Sequence, residues 1–524
     1  MYREPPSPRH ARPWSAAVLP PSARGEPATS RSWLRRLAAA LRERFGSVFK
    51  SRDEFDLTEG DVARPLFYLS LPIVVTNLLQ TAYNLVDTIW LGRYSTEALA
   101  AISFAFPVVF FIISLGLGIA IAGSILVAQN TGAGDAEQAE FAASQTVTFA
   151  IIASVILGAF GYLAVGDILA FLGATDEVLD GATAYMKIIS LGMVFMFAFF
   201  MFMSLMRGYG DTITPMLVML VTVVVNLVLD PFLIFGWGPF PELGVVGAAY
   251  ATVFSRALAT VIGMTIMFRG VRGIEIHLEQ MRPDLEFLRR LVRIGAPASV
   301  EGTGNAIAIN LMLIIVGMFP TAVVAAYGVG VRLFSVIFLP AIAVGRGVET
   351  MAGQNIGAGR EDRAATTTDF AAKAMFAVLA VVSVAVWVFA ADIVAIFSDD
   401  AEVVEIGRLF LRYVAPTFGF TGVFHAYKGG FRGAGRTLTA AIVSIAMLGV
   451  IRVPFAWVAA RPLGYEGIWL AFAVSNVAGA AIGYLWYARG RWRDADVTGG
   501  PGPATPGVAG EAAPDPEGDP SVDD

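Results

Sequence analysis

Apolar residues run along the chain in twelve stretches too long and too free of charge to face water: 65–91, 98–122, 141–165, 185–206, 212–236, 245–268, 289–317, 322–348, 366–390, 406–428, 436–458 and 466–488. At 1.5 Å rise per residue, about 20 apolar residues cross the ~30 Å hydrocarbon layer of a bilayer. Backbone N–H groups in hydrocarbon must be bonded within their own segment, so these stretches predict helices. The fold class expected is all-α, a polytopic membrane protein with twelve transmembrane helices. Composition agrees, since the 524 residues are 56 % hydrophobic and 15 % charged, against about 45–50 % and 25 % in soluble domains.

Charge orients the helices. The loops 269–293, 353–365, 428–436 and 489–493 collect arginines, whereas the alternate loops hold Asp167, Asp176, Glu177, Asp180, Asp392, Asp399, Asp400 and Glu402. The positive-inside rule then predicts both termini in the cytoplasm and the body of the chain in the cell membrane. Trp90, Trp237, Trp457 and Trp469 fall at predicted outer helix ends, where indole favours the interface. Residues 1–60 read as a solvated Arg/Pro-rich tail and 491–524 as a disordered acidic one. Within the first, Trp33, Leu34, Leu37, Leu41 and Phe45 lie opposite Arg35, Arg36, Arg42 and Arg44, the pattern of a helix resting on anionic lipid. Residues 1–30 have no apolar core of a cleavable signal peptide.

Several chemistries are excluded. There is no cysteine, and His10, His277 and His425 are far apart in sequence. None of the lysines at 50, 187, 373 and 428 follows a glycine, so no phosphate-cradling Gly-Lys-Ser/Thr loop exists. No nucleophile with an adjacent base stands out. The chain is expected not to be an enzyme, to need no cofactor, and to bind no nucleic acid.

Sliding the sequence against itself by 225 residues places Gln129-Asn130-Thr131-Gly132-Ala133-Gly134 on Gln354-Asn355-Ile356-Gly357-Ala358-Gly359. It also places Arg207-Gly208-Tyr209-Gly210 on Arg432-Gly433-Ala434-Gly435, and Pro72 on Pro297. Each half therefore holds six helices of like orientation, related by a pseudo-two-fold axis along the membrane normal. The expected domains are a lobe at 61–270, a cytoplasmic linker at 271–288 and a lobe at 289–490, with a cleft between the lobes. The Gln-Asn and Arg-Gly motifs read as tight turns without chemistry.

Ionisable groups inside a span cost about 2.5–3.5 kcal/mol on insertion scales. Asn226 and Asp230 are one helical turn apart on one face, and Asp87 can meet them if the first helix packs on the fifth. Two carboxylates in one small site require a retained proton or a cation between them. Their counterparts in the second half are Met312, Gly449 and Val453, which moves this chemistry into the first lobe. Gln80 and Tyr83 share the face of Asp87 and would line the same cavity. The plain alternatives are that Asp87 snorkels to water and that Asp230 caps a segment after a kink at Pro231. Pro72 leaves a carbonyl of the first helix unbonded, which makes an ordinary kink or a hinge. Glu301 and Arg332, deep in the seventh and eighth helices, are expected to form a structural ion pair. Methionines 193, 196, 201, 203 and 206 read as lipid-facing filler.

The Gln-Asn-Xaa-Gly-Ala-Gly motifs, the Arg-Gly-Xaa-Gly-Asp-Thr segment and the run Leu-Gln-Thr-Ala-Tyr-Asn-Leu-Val-Asp-Thr-Ile-Trp-Leu-Gly at 79–92 resemble the multidrug and toxic compound extrusion (MATE) transporters. Asn226-Leu-Val-Leu-Asp230-Pro231 points to their archaeal and DinF-like branch. The resemblance, over roughly residues 60–490, implies a V-shaped pair of lobes and a secondary antiporter. Such a carrier exports small organic compounds, often cationic and amphipathic, in exchange for H⁺ or Na⁺ by alternating access. It further implies a cation or proton site at Asp87, Asn226 and Asp230 with a sixth-helix hydroxyl at Thr252, Na⁺ being one candidate occupant, and bending of the first helix at Pro72. Other branches carry a seventh-helix carboxylate where this chain has Asn305, so a second-lobe site of that kind is not expected. A monomer in contact with membrane lipids is expected. The alternative, a flippase for lipids or lipid-linked sugars on the same superfold, needs a strongly basic cavity. It ranks lower because, apart from Arg332, Arg346 and Arg452, the spans show few internal cations.

Overall fold

The computed structural model describes residues 50, 52–173 and 175–493; the amphipathic segment at 33–45 and the acidic tail from 494 lie outside them. The first six helices are α1 (Ala63–Tyr94), α2 (Thr96–Gly132), α3 (Ala136–Phe171), α4 (Asp176–Leu191 and Met193–Tyr209), α5 (Ile213–Phe235) and α6 (Val245–Phe268). The second six are α7 (Leu285–Val316), α8 (Thr321–Ile337 and Leu339–Gly357), α9 (Glu361–Val388), α10 (Ala401–Val414 and Phe418–Gly433), α11 (Thr437–Leu463) and α12 (Tyr465–Ala488). Ten of these are long and apolar enough to cross a membrane as single helices among the described residues, and α4, bent by 55° at Gly192, makes eleven. The twelfth, α10, is interrupted at Ala415–Thr417 into pieces of 14 and 16 residues, each too short alone. The chain is thus an all-α, multi-pass membrane protein of two six-helix lobes.

Each lobe has its own core. Phe199, Met201, Phe202 and Met206 of α4 pack in the first against α2, α3 and α6. The methionines expected to face lipid are therefore mostly interior: Met193, Met196, Met201 and Met206 are buried. In the second lobe Trp469 is fully buried and stacks on Tyr327 at 6.4 Å, which corrects its reading as an interfacial indole, while Trp237 and Trp457 are exposed.

The lobes meet at the end that carries the basic loops. Gln129 Nε2 donates to Gly433 O at 2.8 Å, and Gln354 Nε2 donates to Gly208 O at 3.0 Å and Tyr209 O at 2.9 Å. These glutamines sit in the last turns of α2 and α8 rather than in turns, so the motifs make the cross-lobe contact. A Cβ on Gly132 would collide with the Gln354 carbonyl, and one on Gly357 with that of Gln129, which explains glycine at both places. Cross-lobe hydrogen bonds extend inward as far as Ser299 Oγ to Leu115 O, 3.2 Å. Toward the acidic loops Leu85 and Ile89 of α1, Phe110 and Phe111 of α2, and Ile307 and Leu311 of α7 are exposed. Residues 52–60, expected in the solvated tail, are instead docked: Leu57 is buried, Asn355 Nδ2 donates to its carbonyl at 2.9 Å, and Arg360 and Arg363 donate to the carbonyls of Thr58 and Gly60 at 2.6 Å each. Burial of Leu57 among the helix ends contributes about 1.5–3 kcal/mol, and the hydrogen bonds from Asn355, Arg360 and Arg363 add to it.

Candidate ion and substrate site

α1 packs along α5, and the contact brings Asp87 against Asp230, their carboxyls within reach of a shared hydrogen bond. Asn226 Nδ2, one turn earlier on α5, donates to Asp230 Oδ1 at 3.1 Å. Asn226 and Asp230 are buried; Asp87 is partly exposed, but its Oδ1 and Asp230 Oδ2 are buried without a hydrogen-bond donor. Asp230 caps nothing, because α5 continues through Pro231 to Phe235. The inward Oδ1 of Asp87 likewise separates it from a side chain that snorkels away from the protein.

Around the pair, Tyr83 Oη donates to Thr252 Oγ1 at 3.1 Å. Thr252 is one turn before Arg256 on α6, whose guanidinium donates to Gln80 Oε1 at 3.0 Å and lies over the Tyr83 ring at 4.8 Å. Gln80 is also held by its own helix, donating to Asn84 Oδ1 at 3.1 Å. Tyr185 of α4 stands within electrostatic reach of both acids. The structure so brings Asp87, Asn226, Asp230, Thr252, Gln80 and Tyr83 together at the acid-loop half of the first lobe. The Thr252 hydroxyl is engaged by Tyr83 and by neither carboxyl.

Arg256 is the residue that reading by spacing missed. It is buried in the middle of α6, and its field acts on Asp87. The signal was available as a lone cation inside an apolar span, one turn beyond Thr252. With two carboxyls and one guanidinium in a low-dielectric setting, the site is one positive charge short of neutrality, which a proton or a small cation supplies. Among the described residues no group of three or more His, Asp or Glu side chains is placed to hold a metal ion.

The second lobe corrects two expectations. Glu301 does not pair with Arg332, which is exposed. Its Oε2 accepts from Arg432 at 2.7 Å, and its Oε1 from Lys428 at 3.3 Å and from the Ser444 hydroxyl at 2.8 Å. The reason is that α10 runs on to Gly433, so Lys428 and Arg432 lie one turn apart inside the helix and not in a loop. The spans also hold more internal cations than expected, since Arg207, Arg256, Lys428 and Arg432 all lie within helices, Arg256 and Arg432 buried. A further asymmetry appears under a local offset of 223 residues, which sets Ser475 on Thr252. There Arg452 donates to Ser475 Oγ at 2.8 Å and to Asn476 Oδ1 at 2.8 Å, so a tethered guanidinium stands beside the hydroxyl where the first lobe gathers acids. Pro72 is buried inside α1, which runs through it unbroken.

Comparison with known proteins agrees with the duplication. Residues 72–232 and 297–458 each match the MatE family model. A relative described as a probable multidrug resistance protein, YpnP of Bacillus subtilis, is 29 % identical over 443 residues, covering 84 % of this chain and 98 % of its own length. Another, named as an FAD transporter of Shewanella oneidensis, is 28 % identical, covering 83 % and 96 %. Among solved structures, the outward-facing conformation of a multidrug resistance MATE family transporter superposes with a TM-score of 0.77 at 26 % identity, covering 83 % of this chain and 97 % of that one.

Proposed function

The chain belongs to the MatE family of multidrug-export antiporters, and from that premise we propose that its coupling ion, H⁺ or Na⁺, is held by Asp87 and Asp230 with Asn226. The observation that carries this reading is the contact between two carboxyls from different helices, buried oxygens of both lacking donors. Ion binding there neutralises the pair and favours one arrangement of α1 on α5; substrate in the cleft favours the other. Mutual exclusion of the two converts an ion gradient into export. The basic-loop end, where the lobes are closed, is assigned to the cytoplasm by the positive-inside rule, so this arrangement opens outward from a cell membrane. Pro72, buried where α1 passes the sealed end, is the assigned hinge, because no N–H at that position anchors the carbonyl of Tyr68. Thr252 and Tyr83 orient the site and Gln80 lines the cleft.

Organic cations fall within the exported range on this reading, since two carboxyls, Asp87 and Asp230, outnumber the one guanidinium, Arg256, at the first-lobe site. The flippase alternative is not favoured, because several relatives are named as multidrug resistance or multidrug export proteins. Ethidium efflux from energised cells tests the assignment. Asp87→Asn is expected to abolish gradient-driven efflux while the protein remains in the membrane, and efflux at the wild-type rate would end the role of Asp87.

A further inference from the structure

Two cavities inside the second lobe adjoin one another and differ in character. One, of about 50 Å³, is lined by Arg346, Glu349, Lys428 and Arg432. The other, of about 240 Å³, is lined by aromatic and aliphatic groups including Tyr327, Phe334, Phe338 and Phe472, with Arg452 at its wall. Ile342 and His425 line both, so the two are halves of one elongated site.

Charge in this site does not balance. Glu349 accepts from Arg346 at 2.9 Å and lies 3.8 Å from Arg432, and Glu301 neutralises part of Lys428 and Arg432 from behind. Four cations thus face two carboxylates, and Arg452 bonds only to neutral groups, the Ser475 hydroxyl and the Asn476 amide. Arg432 is buried, yet its Nε–H has no acceptor, while Glu349 Oε1 in the same cavity has no donor. A buried donor left unpaired is costly, more so when charged, so an acceptor supplied by a ligand is favoured. The aromatic half matches a flat apolar body, and the Arg452 guanidinium already lies 4.2 Å from the centre of the Phe472 ring, a face on which planar groups stack.

We propose that this site binds the acidic group of an amphipathic substrate: an organic acid, or a zwitterion, whose planar apolar body fills the aromatic half while its carboxylate meets Lys428 and Arg432. The proposal rests on the antiporter reading and adds the substrate class. The lobes then divide the work, the first handling the coupling cation and the second an organic anion.

The test uses two probes that share the naphthalene body and carry head groups of opposite charge, 2-naphthoate and 2-naphthylmethylammonium. Each is titrated calorimetrically into the full chain in lipid nanodiscs, against empty discs, with no ion gradient. 2-Naphthoate is expected to bind, and Lys428→Gln and Ile342→Trp to weaken it while leaving the ammonium affinity unchanged. Lys428→Gln is expected to lower naphthoate affinity about tenfold and Lys428→Arg to retain it. Ile342→Trp, which fills the junction without changing charge, is expected to abolish it. Naphthoate binding that Lys428→Gln leaves unchanged, or that persists undiminished in Ile342→Trp, overturns the proposal. Neither outcome touches ethidium efflux and its dependence on Asp87, so the fate of the antiporter reading is read separately.

Discussion

Gln129 and Gln354, equivalent residues of the two repeats, each hydrogen-bond a backbone carbonyl at the end of the fourth helix of the opposite lobe: Gln129 reaches Gly433, and Gln354 reaches Gly208. The acceptors are themselves equivalent, so the pair is one contact made twice across the pseudo-two-fold axis. Both side chains are buried. Opening the sealed end must break both bonds and the glycine contacts beside them.

Removal of one such amide leaves a buried carbonyl without a donor, a loss of about 1–3 kcal/mol from the closed arrangement alone. Gln354→Ala is therefore expected to shift the lobes toward opening at the basic end. The absence of native cysteine permits a clean readout, maleimide labelling of a single cysteine replacing the buried Ala128. Labelling is expected to rise severalfold in Gln354→Ala and again in the double variant with Gln129→Ala. An unchanged rate would show that the contact does not close the seam.

The Glu301 cluster is structural in its energetics. Glu301→Gln leaves Lys428 and Arg432 facing each other without their shared anion, and breaking such a buried network costs about 3–5 kcal/mol. Thermal unfolding in detergent is expected to fall sharply for Glu301→Gln and to be partly restored by adding Lys428→Gln. Arg332→Gln, at an exposed position, is expected within about 0.5 kcal/mol of the parent. A large loss from Arg332→Gln would revive the pairing that the structure rejects.

Arg256 acts through the field it places on Asp87. It bonds Gln80 and not the acid, so its removal takes away a nearby positive charge while leaving the carboxyls where they are. At an effective dielectric of about 20, a nearby unit charge is worth on the order of 1 kcal/mol or more. Arg256→Gln is expected to tighten the apparent affinity for the coupling cation about tenfold, measured as the ion concentration giving half-maximal transport. Weakened affinity would make Arg256 a direct scaffold of the site instead.

Much of the architecture was legible because hydrophobic length and repeat register are long-range signals. The twelve spans follow from hydropathy and the duplication from repeat register. The meeting of Asp87 with Asp230 was legible only as a consequence of the first helix packing on the fifth, which the family resemblance implies. Partner choice inside the membrane was not legible. Glu301 pairs with Lys428 and Arg432 because α10 extends past the end that hydropathy assigned to it, turning supposed loop cations into helical ones, Arg432 buried and Lys428 half-buried. The same error hid the glutamine contact: α2 runs ten residues beyond its expected end at 122, so Gln129 is helical and aimed across the seam. Helix ends rich in Gly and polar residues look like loops until a second lobe satisfies them. Trp469 and the α4 methionines show the converse, since apolar groups favour a protein core as readily as a lipid face and composition alone does not separate the two.

The most direct measurement places the purified chain in vesicles and imposes the proton and sodium gradients separately, following ethidium movement in the wild type, Asp87→Asn and Asp230→Asn. The expected result is transport driven by at least one gradient in the wild type and by neither in the variants. Gradient-driven transport at undiminished rate in both variants would contradict the assignment of the coupling ion to this pair of acids.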